Sequence, residues 1–447
     1  MTSEVVVGGT DSTAGQTVSW WRRTWLDPVL LSLVTFGLAA YRTRTALISP
    51  YDEMYHLSYI QYLFNWHLPQ IGDTLNTWAR EGFSCHPVFP FGNVTGVACG
   101  KIGAPGLYPE GGTNTAAGWP PIYYGISAGV VRVLGWFGVS PFEAARLASS
   151  MFLAAGAGVL ALASRRLGAG RLSTIGAVLL LVAAPVSDVL GSFVTPHSAT
   201  LLLGSLCLLF VAWAVEVGRS PLRVAIVGAA LGALCSLTQP HAIVGVAIAG
   251  LAIAAVSMRR AGAGSVDGRL VGASAGLVGP VVAILVYGAW TKLQDARTVP
   301  YPDGVNLGGV SKLPDDAVSI LTEVLGKAWY FLPGTLTNDS LGYGLPELFV
   351  AGLLTVLAVG ALGAAVFTAR ANPVPSALGW SALVVAPIAA IAMDIYFPFP
   401  LPLRYGFAVA PVLVALLAIV TTSRSAKWLV LVAGSGAYVM AIFSLWP

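Results

Sequence analysis

The stretch Ser49-Pro50-Tyr51-Asp52-Glu53-Met54-Tyr55-His56-Leu57-Ser58-Tyr59 directly follows the first long apolar segment of the chain. If Pro50 starts a helix, Asp52 and Glu53 lie in its first turn, where the helix dipole favours negative charge. Glu53 and His56 then share one face of that helix. Two interpretations are open: a helix cap with a solvated acidic pair, or a catalytic carboxylate that faces the lipid surface.

The composition places this stretch in a membrane protein. The 447 residues are 56% hydrophobic and only 10% charged, whereas a soluble domain carries roughly 25% charged residues. The apolar runs reach the roughly 20 residues that cross a bilayer. We therefore predict an all-α polytopic membrane protein with a single domain over 25–447. Residues 1–24 are predicted to be a disordered cytoplasmic N-terminus, since this part begins polar and rich in Gly, Ser and Thr.

Hydropathy predicts about eleven spans, at roughly 25–47, 142–164, 172–190, 198–217, 223–238, 242–258, 270–291, 346–368, 374–394, 404–422 and 427–445. A further apolar segment, 119–138, could also span, and every later segment would then change sides. Without that span, the basic residues of the short loops lie inside, and with it everything from Arg165 onward moves outside. The positive-inside rule therefore predicts an interfacial helix at 119–138, with the N-terminus inside and the C-terminus outside.

This topology leaves two long external segments, about 48–141 and about 292–345. All five histidines and most acidic residues fall outside or at outer helix ends, so we expect any chemistry on the outer face. Cys85 and Cys99 lie in the first external segment, where an oxidising compartment favours a disulfide between them. Two free thiols are the alternative.

Three further pieces of sequence accompany the acidic pair and His56. Trp119-Pro120-Pro121-Ile122-Tyr123-Tyr124 opens the interfacial helix, 163–168 (ASRRLG) ends the second span, and Leu403-Arg404-Tyr405 opens a late span. This order resembles the GT-C membrane glycosyltransferases. The resemblance is closest to the protein O-mannosyltransferase and aminoarabinose-transferase branch and to related actinobacterial cell-envelope transferases. Unlike the mannosyltransferases, which carry a large soluble insertion, this chain has only about fifty residues in its second external segment.

The resemblance implies an inverting glycosyltransferase on the outer face of a bacterial plasma membrane. It would move a sugar from a polyprenyl-phosphate donor to a hydroxyl of a cell-envelope glycan, glycolipid or protein. A carboxylate must remove the acceptor proton, and cations must neutralise the leaving phosphate. Asp52 is the expected base by its position in the motif, and Glu53 would orient the acceptor or raise the pKa of Asp52 through like charge. No cofactor is expected, and a divalent ion between the two carboxylates is the alternative.

The candidates for substrate binding lie near outer span ends or in the first external segment. Arg404 is the first choice for the donor phosphate because a planar guanidinium suits phosphate, and a snorkelling interfacial arginine is the alternative. His56 could donate to the phosphate or to the acceptor. Arg42 and Arg44 are secondary candidates, because they break the positive-inside pattern near the outer end of the first span. Lys101 ranks below them, since loop lysines are usually solvated. Tyr405, Tyr123 and Tyr124 could stack on a sugar, and His197 and His241 could line the cavity; an aromatic belt and structural histidines are the alternatives.

Three other classes of protein also have to be compared with the sequence. A lipid or glycan transporter would need carboxylates in mid-span positions, and the predicted spans are almost free of charge in their middles. A non-catalytic envelope assembly protein would tolerate the loss of Asp52. A glycan polymerase or ligase with a diphosphate-linked donor would use chemistry close to that of the polyprenyl-phosphate glycosyltransferase. The sequence contains no nucleotide-binding loop and no Cys/His metal spacing, and nothing in it indicates a nucleic-acid partner.

Overall fold

The computed structural model describes residues 25–44, 47–49, 52–89, 91–216, 219–259, 266–300, 318, 322, 345–367, 373–396 and 403–443, with backbone alone at 394–396, 403 and 404. Its α-helices, numbered in chain order, are α1 Leu26–Thr43, α2 Glu53–Phe64, α3 Thr77–Cys85, α4 Ile122–Gly135, α5 Pro141–Arg166, α6 Arg171–Ala183, α7 Pro185–Ser192, α8 Ala199–Ala214, α9 Pro221–Thr238, α10 Ile243–Arg259, α11 Val266–Asp295, α12 Leu345–Phe367, α13 Pro373–Tyr396, α14 Ala410–Val420 and α15 Arg424–Phe443. Short 3-10 helices lie at Pro105–Leu107, Pro109–Gly112, Thr115–Gly118, Pro196–Ser198, Pro240–Ala242 and Leu403–Val409.

The all-helical membrane architecture is confirmed over these ranges, where extended pairing is confined to isolated β-bridges. Each of the eleven predicted spans coincides with a helix or a pair of helices. Eight described helices are long and apolar enough to cross a membrane, and the bent pair α6–α7 would make nine. The eleven spans and the sides of the two termini stay predictions. The N-terminal segment 1–24 and most of 292–345 lie outside the described residues.

The third predicted span, 172–190, is broken into two helices. α6 ends at Ala183, Ala184 is extended, and α7 begins at Pro185, with an angle of 67° between the two helices. Proline has no N–H to donate, so it is tolerated in the first turn of a helix and keeps the preceding residue extended. The bend leads the chain into the connection 193–198, which contains His197.

The predicted interfacial helix at 119–138 is α4. It has 14 residues and is therefore about 21 Å long at 1.5 Å per residue, which is less than the roughly 30 Å of a bilayer core. The exposed apolar side chains are Ile126 and Val133 on α4 and Trp136 and Phe137 directly after it. Both its length and this exposed face support an interfacial position, because an apolar helix face that the protein does not cover suits lipid.

The two ends of the helical bundle differ in what they contact. At one end, here called the loop end, the segment 47–141 packs against the connections α7–α8 and α9–α10. Arg146 near the start of α5 donates there to the carbonyl oxygen of Leu47, and Trp290 near the end of α11 donates to that of Gly118. At the opposite end, Arg171 pairs with Asp27 at 2.7 Å.

Glycines allow two pairs of helices to approach closely. A Cβ atom at Gly434 of α15 would lie 2.1 Å from the carbonyl oxygen of Gly176 in α6. A Cβ atom at Gly232 of α9 would lie 2.3 Å from the carbonyl oxygen of Gly279 in α11. Such contacts between small residues are a main source of helix association in membranes, where lipid tails are as apolar as the side chains.

A disulfide joins Cys85, the last residue of α3, to Cys99 across 14 positions. These are the two cysteines that the sequence pairs in the first external segment. Closing a loop of this length contributes about 3 kcal/mol in the chain-entropy model. Cys207 and Cys235 are free and buried among the helices.

Candidate functional site

Glu53, the first residue of α2, is 1% exposed. Its Oε1 accepts hydrogen bonds from Arg146 Nε and from the backbone N–H of Val194, both at 2.8 Å. Its Oε2 accepts from Arg146 Nη2 and from the backbone N–H of Ser49, both at 2.9 Å. The carboxylate is thus held by a bidentate guanidinium and two amides, which is strong and directional charge-assisted bonding.

Arg146 completes this anchor. Besides Glu53, the guanidinium donates to the carbonyl oxygens of Thr43 at 3.0 Å and Leu47 at 2.8 Å, and it lies over the Phe142 ring at 4.2 Å from the centroid. A buried ion pair is favourable when further hydrogen bonds satisfy both partners, as they do here. Glu53 is therefore not part of a solvated acidic pair, and its geometry favours a positioning role over the predicted contact with the acceptor.

Asp52 has the opposite environment. It is exposed, and its backbone is left-handed, with φ 59° and ψ 12°. Its carbonyl oxygen accepts from the His56 N–H at 3.0 Å, which starts α2, while its side chain makes no capping bond to the described helix. Left-handed backbone in a residue other than glycine is uncommon and persists only where the surroundings fix it. Here the Glu53 anchor directly follows, so the fold presents Asp52 at a set position.

Seven aromatic and imidazole side chains gather beside Asp52 at the loop end. We call this group the aromatic–histidine cluster; its members are His56, Tyr59, Trp119, Tyr124, His197, His241 and Tyr405.

The part of the cluster on α2 and α4 is a hydrogen-bonded stack. The Tyr59 and Tyr124 rings are stacked with centroids 3.9 Å apart, and the Tyr124 hydroxyl lies 2.9 Å from His56 Nδ1. Burial raises the pKa of the Tyr124 phenol well above its ordinary value, and the nearby Asp52 raises it further. The phenol therefore stays protonated, and its hydroxyl either donates to Nδ1 or accepts from Nδ1–H, according to the His56 tautomer.

Trp119 is the centre of the cluster. Its ring centroid lies 6.0 Å from that of His56 and 5.7 Å from those of both His197 and His241. Tyr59 donates its hydroxyl to the Trp119 carbonyl oxygen at 3.0 Å, and Trp290 donates to the neighbouring Gly118 carbonyl oxygen at 2.9 Å. These two bonds fix the backbone at Gly118 and Trp119. The indole thereby connects α2, through His56, with the α7–α8 and α9–α10 connections that carry His197 and His241.

Tyr405 brings the late 3-10 helix Leu403–Val409 to the cluster. Its ring centroid lies 3.9 Å from that of His241 and 4.9 Å from that of His197. The backbone of Arg404 is adjacent, and the side chain of Arg404, the first candidate for the phosphate, lies outside the described part of the chain. The structure thus brings together five predicted residues around Trp119: His56, Tyr124, His197, His241 and Tyr405.

The remaining candidates lie elsewhere. Arg42 is buried, forms an ion pair with Asp188 and donates to the carbonyl oxygen of Ala441, so it has structural partners. Arg44 is exposed directly after α1, and Lys101 is exposed in the loop that follows α3. The Tyr123 hydroxyl faces Ser149 Oγ at 2.7 Å, behind Tyr124.

Among the described residues, no group of three or more His, Cys, Asp or Glu side chains is spaced to hold a metal ion. The alternative of an ion between Asp52 and Glu53 would have to compete with Arg146, which occupies both Glu53 oxygens.

Sequence reasoning missed Arg146 and the role of Trp119. Arg146 lies inside the predicted span 142–164, and a charged residue within a span is rare and usually functional, so a signal was present. Trp119 was assigned only to lead the chain into an interfacial helix. Its position among three histidines from three segments depends on contacts that the sequence does not display.

No protein-family model matches the chain, and no curated protein matches it. Among solved structures, it is similar to the crystal structure of ArnT from Cupriavidus metallidurans bound to undecaprenyl phosphate, with a TM-score of 0.51 and 17% sequence identity. The match covers 93% of this chain, which spans 63% of the length of that one. At this identity the likeness shows the fold. The chain therefore shares the overall membrane fold of that structure.

Proposed function

We propose that the protein is an inverting glycosyltransferase that moves a sugar from a polyprenyl-phosphate donor to a hydroxyl acceptor. The observation that carries this proposal is the division of the acidic pair, in which Glu53 is fixed by Arg146 while Asp52 is exposed beside the cluster. The structure that shares the fold is described as bound to undecaprenyl phosphate, which supports the polyprenyl-phosphate class of donor.

In this mechanism Asp52 is the general base. Its carboxylate removes the proton of the acceptor hydroxyl as that oxygen attacks the anomeric carbon of the sugar. The bond from the anomeric carbon to the phosphate oxygen breaks, and the polyprenyl phosphate leaves with the electron pair. Attack from the face opposite the leaving group inverts the anomeric configuration. Glu53 and Arg146 act as positioning residues, because they hold the start of α2 from which Asp52 projects.

The leaving phosphate needs cationic or N–H donors. We assign this role to Arg404, since the adjacent Tyr405 packs on His197 and His241 and so places the Arg404 backbone at the cluster. In the tautomer that carries its proton on Nε2, His56 would donate to a phosphate or acceptor oxygen.

We place the site on the extracytoplasmic face of a bacterial plasma membrane. The end of the bundle opposite the loop end carries basic side chains such as Arg166 and Arg171, both paired with acidic residues. Basic loops are typical of the cytoplasmic side. The acceptor would then be a cell-envelope glycan, a glycolipid or a protein.

The test compares wild type with Asp52→Asn in membranes supplied with radiolabelled polyprenyl-phospho-sugars, and follows the loss of label from the donor lipid. Since general-base catalysis contributes about 10²- to 10⁴-fold, we expect Asp52→Asn to slow donor consumption by at least 100-fold. Glu81→Gln removes an exposed carboxylate of α3, in the same external segment, and should leave the rate of donor consumption unchanged. Donor consumption by Asp52→Asn at the wild-type rate would contradict the proposal, as would a wild type that consumes no donor but moves lipid across the membrane.

A further inference from the structure

The side-chain amide of Gln239 is buried in the aromatic–histidine cluster and lacks one hydrogen bond. Gln239 follows α9 directly and is 0% exposed. Its Nε2 lies 2.8 Å from His197 Nδ1, which places the whole amide beside that ring. Among the described residues its Oε1 has no hydrogen-bond partner. Buried polar atoms in native proteins are nearly always satisfied by protein, water or ligand, so this oxygen marks a place for a donor group.

The hydrogen-bonding needs of the Gln239 amide limit which chemical group can bind to it. In the arrangement given, the amide oxygen needs a donor. If the amide is turned by 180°, His197 Nδ1–H donates to Oε1 and the amide nitrogen needs an acceptor. A hydroxyl can do either, because it both donates and accepts. An ionised phosphate can only accept and an ammonium can only donate, so each fits one arrangement alone.

The side chains around this amide are rings of the kind that contact sugars, and His197, His241 and Tyr405 among them are buried. The His197 ring lies between those of His241 and Tyr405, with centroid distances of 5.2 and 4.9 Å, and the Trp119 ring lies at 5.7 Å. Binding sites for small molecules are typically lined by such aromatic faces with a few placed polar groups. A pyranose or furanose ring presents apolar C–H groups to the rings and a hydroxyl to the amide.

We propose that Gln239, held by His197, recognises one hydroxyl of the sugar that is transferred. This inference rests on the proposed function and extends it, because it assigns sugar selection to a residue separate from Asp52 and from the phosphate-binding Arg404. The site is specific for a neutral hydroxylated ring, and it discriminates against the analogue that lacks the bound hydroxyl.

The experiment measures kcat/KM for wild type and Gln239→Leu with the productive donor and with its single-deoxy analogues. We expect wild type to lose about 10- to 100-fold on one analogue, and Gln239→Leu to lose a similar factor on the parent donor while treating that analogue and the parent alike. Thermal stabilisation of the protein by each lipid is the second readout. Polyprenyl phosphate without sugar should stabilise both proteins equally, and the glycosylated lipid should stabilise wild type more.

Gln61→Leu is the matched control, because both Gln61 amide atoms are already bonded, Nε2 to Thr77 Oγ1 and Oε1 to the Trp78 N–H, each at 2.8 Å. It should keep the wild-type discrimination. If Gln239→Leu does not fold, Gln239→Glu keeps the size and an acceptor for His197 and should alter the discrimination in the same assays. Unchanged discrimination would overturn the inference and assign the amide oxygen to a buried water. If wild type consumes no donor, the proposed transferase function is wrong. The sugar site is then tested by thermal stabilisation alone: the glycosylated lipid should still stabilise wild type more than Gln239→Leu, and equal stabilisation would overturn the inference.

Discussion

Arg146 holds the carboxylate of Glu53, the residue that follows Asp52 at the start of α2. In Arg146→Met the Glu53 carboxylate would remain buried without its cation. Removal of one partner from a buried, hydrogen-bonded ion pair costs about 3–5 kcal/mol. We expect a loss of this size in the free energy of unfolding, measured in detergent micelles by denaturant titration, together with a loss of donor consumption.

Arg219→Met is the matched control for Arg146→Met. Arg219 also pairs with a carboxylate, that of Glu216, and the two side chains are 34% and 42% exposed. Exposed pairs contribute about 0–1 kcal/mol. Equal losses in the two variants would show that the burial of the Glu53–Arg146 pair does not matter and would remove the positioning argument.

The sequence predicted the acidic pair but could not show that its two members have different environments. Asp52 and Glu53 are neighbours of the same chemistry, and only the partners separate them. Arg146 lies 93 positions and Val194 141 positions after Glu53, and no local pattern reports such contacts. His197 and His241 could be placed near the site because both follow a proline at a predicted span end, which is a local signal.

Among the elements, the packing of α15 on α6 depends on the absence of a side chain at Gly434. A larger residue there would meet the backbone of Gly176, which cannot move as a flexible side chain can. We therefore expect Gly434→Leu to separate the two helices and lower the melting temperature in detergent. Gly436→Leu, two positions away on the same helix, should have little effect, since nothing lies within 4 Å of a Cβ atom there. Similar melting temperatures for both variants would contradict this account.

The helical segments themselves were predictable, because long apolar runs in a chain with few charges have few alternatives. The break at Ala184–Pro185 was not predicted, although Pro185 is visible in the sequence. A hydropathy window averages over the break, since both α6 and α7 are apolar. Whether a proline kinks a helix or ends it depends on the packing of the neighbouring helices, which the window does not contain.

For the molecule as a whole, sidedness is the testable consequence of the fold. Lys101 is exposed at the loop end and Ser423 is exposed between α14 and α15 at the opposite end. A membrane-impermeant maleimide applied to intact cells should label Lys101→Cys and leave Ser423→Cys unlabelled until the cells are opened. The native background should be low, because Cys207 and Cys235 are buried and the other two cysteines are joined. The reverse labelling pattern would place the site in the cytoplasm and overturn the proposed donor side.

The arrangement of the whole bundle was predicted through charge and not through contacts. The positive-inside rule placed the histidines at one side of the membrane, and the structure brings His56, His197 and His241 together at the loop end. The rule could not predict which of the gathered side chains touch. Those contacts depend on the hydrogen bonds that Trp290 and Tyr59 donate to the carbonyl oxygens of Gly118 and Trp119, and both bonds join residues far apart in the sequence.

The Glu53–Arg146 anchor also constrains how the protein is made. The Val194 N–H that completes the Glu53 carboxylate is 141 residues further along the chain, and at about 5–20 residues per second a ribosome needs roughly 7 to 28 seconds to reach it. Until α5 has been made, Arg146 is absent and the Glu53 carboxylate must stay hydrated. The start of α2, and with it Asp52, therefore takes its final position only after nearly half of the polypeptide has left the ribosome.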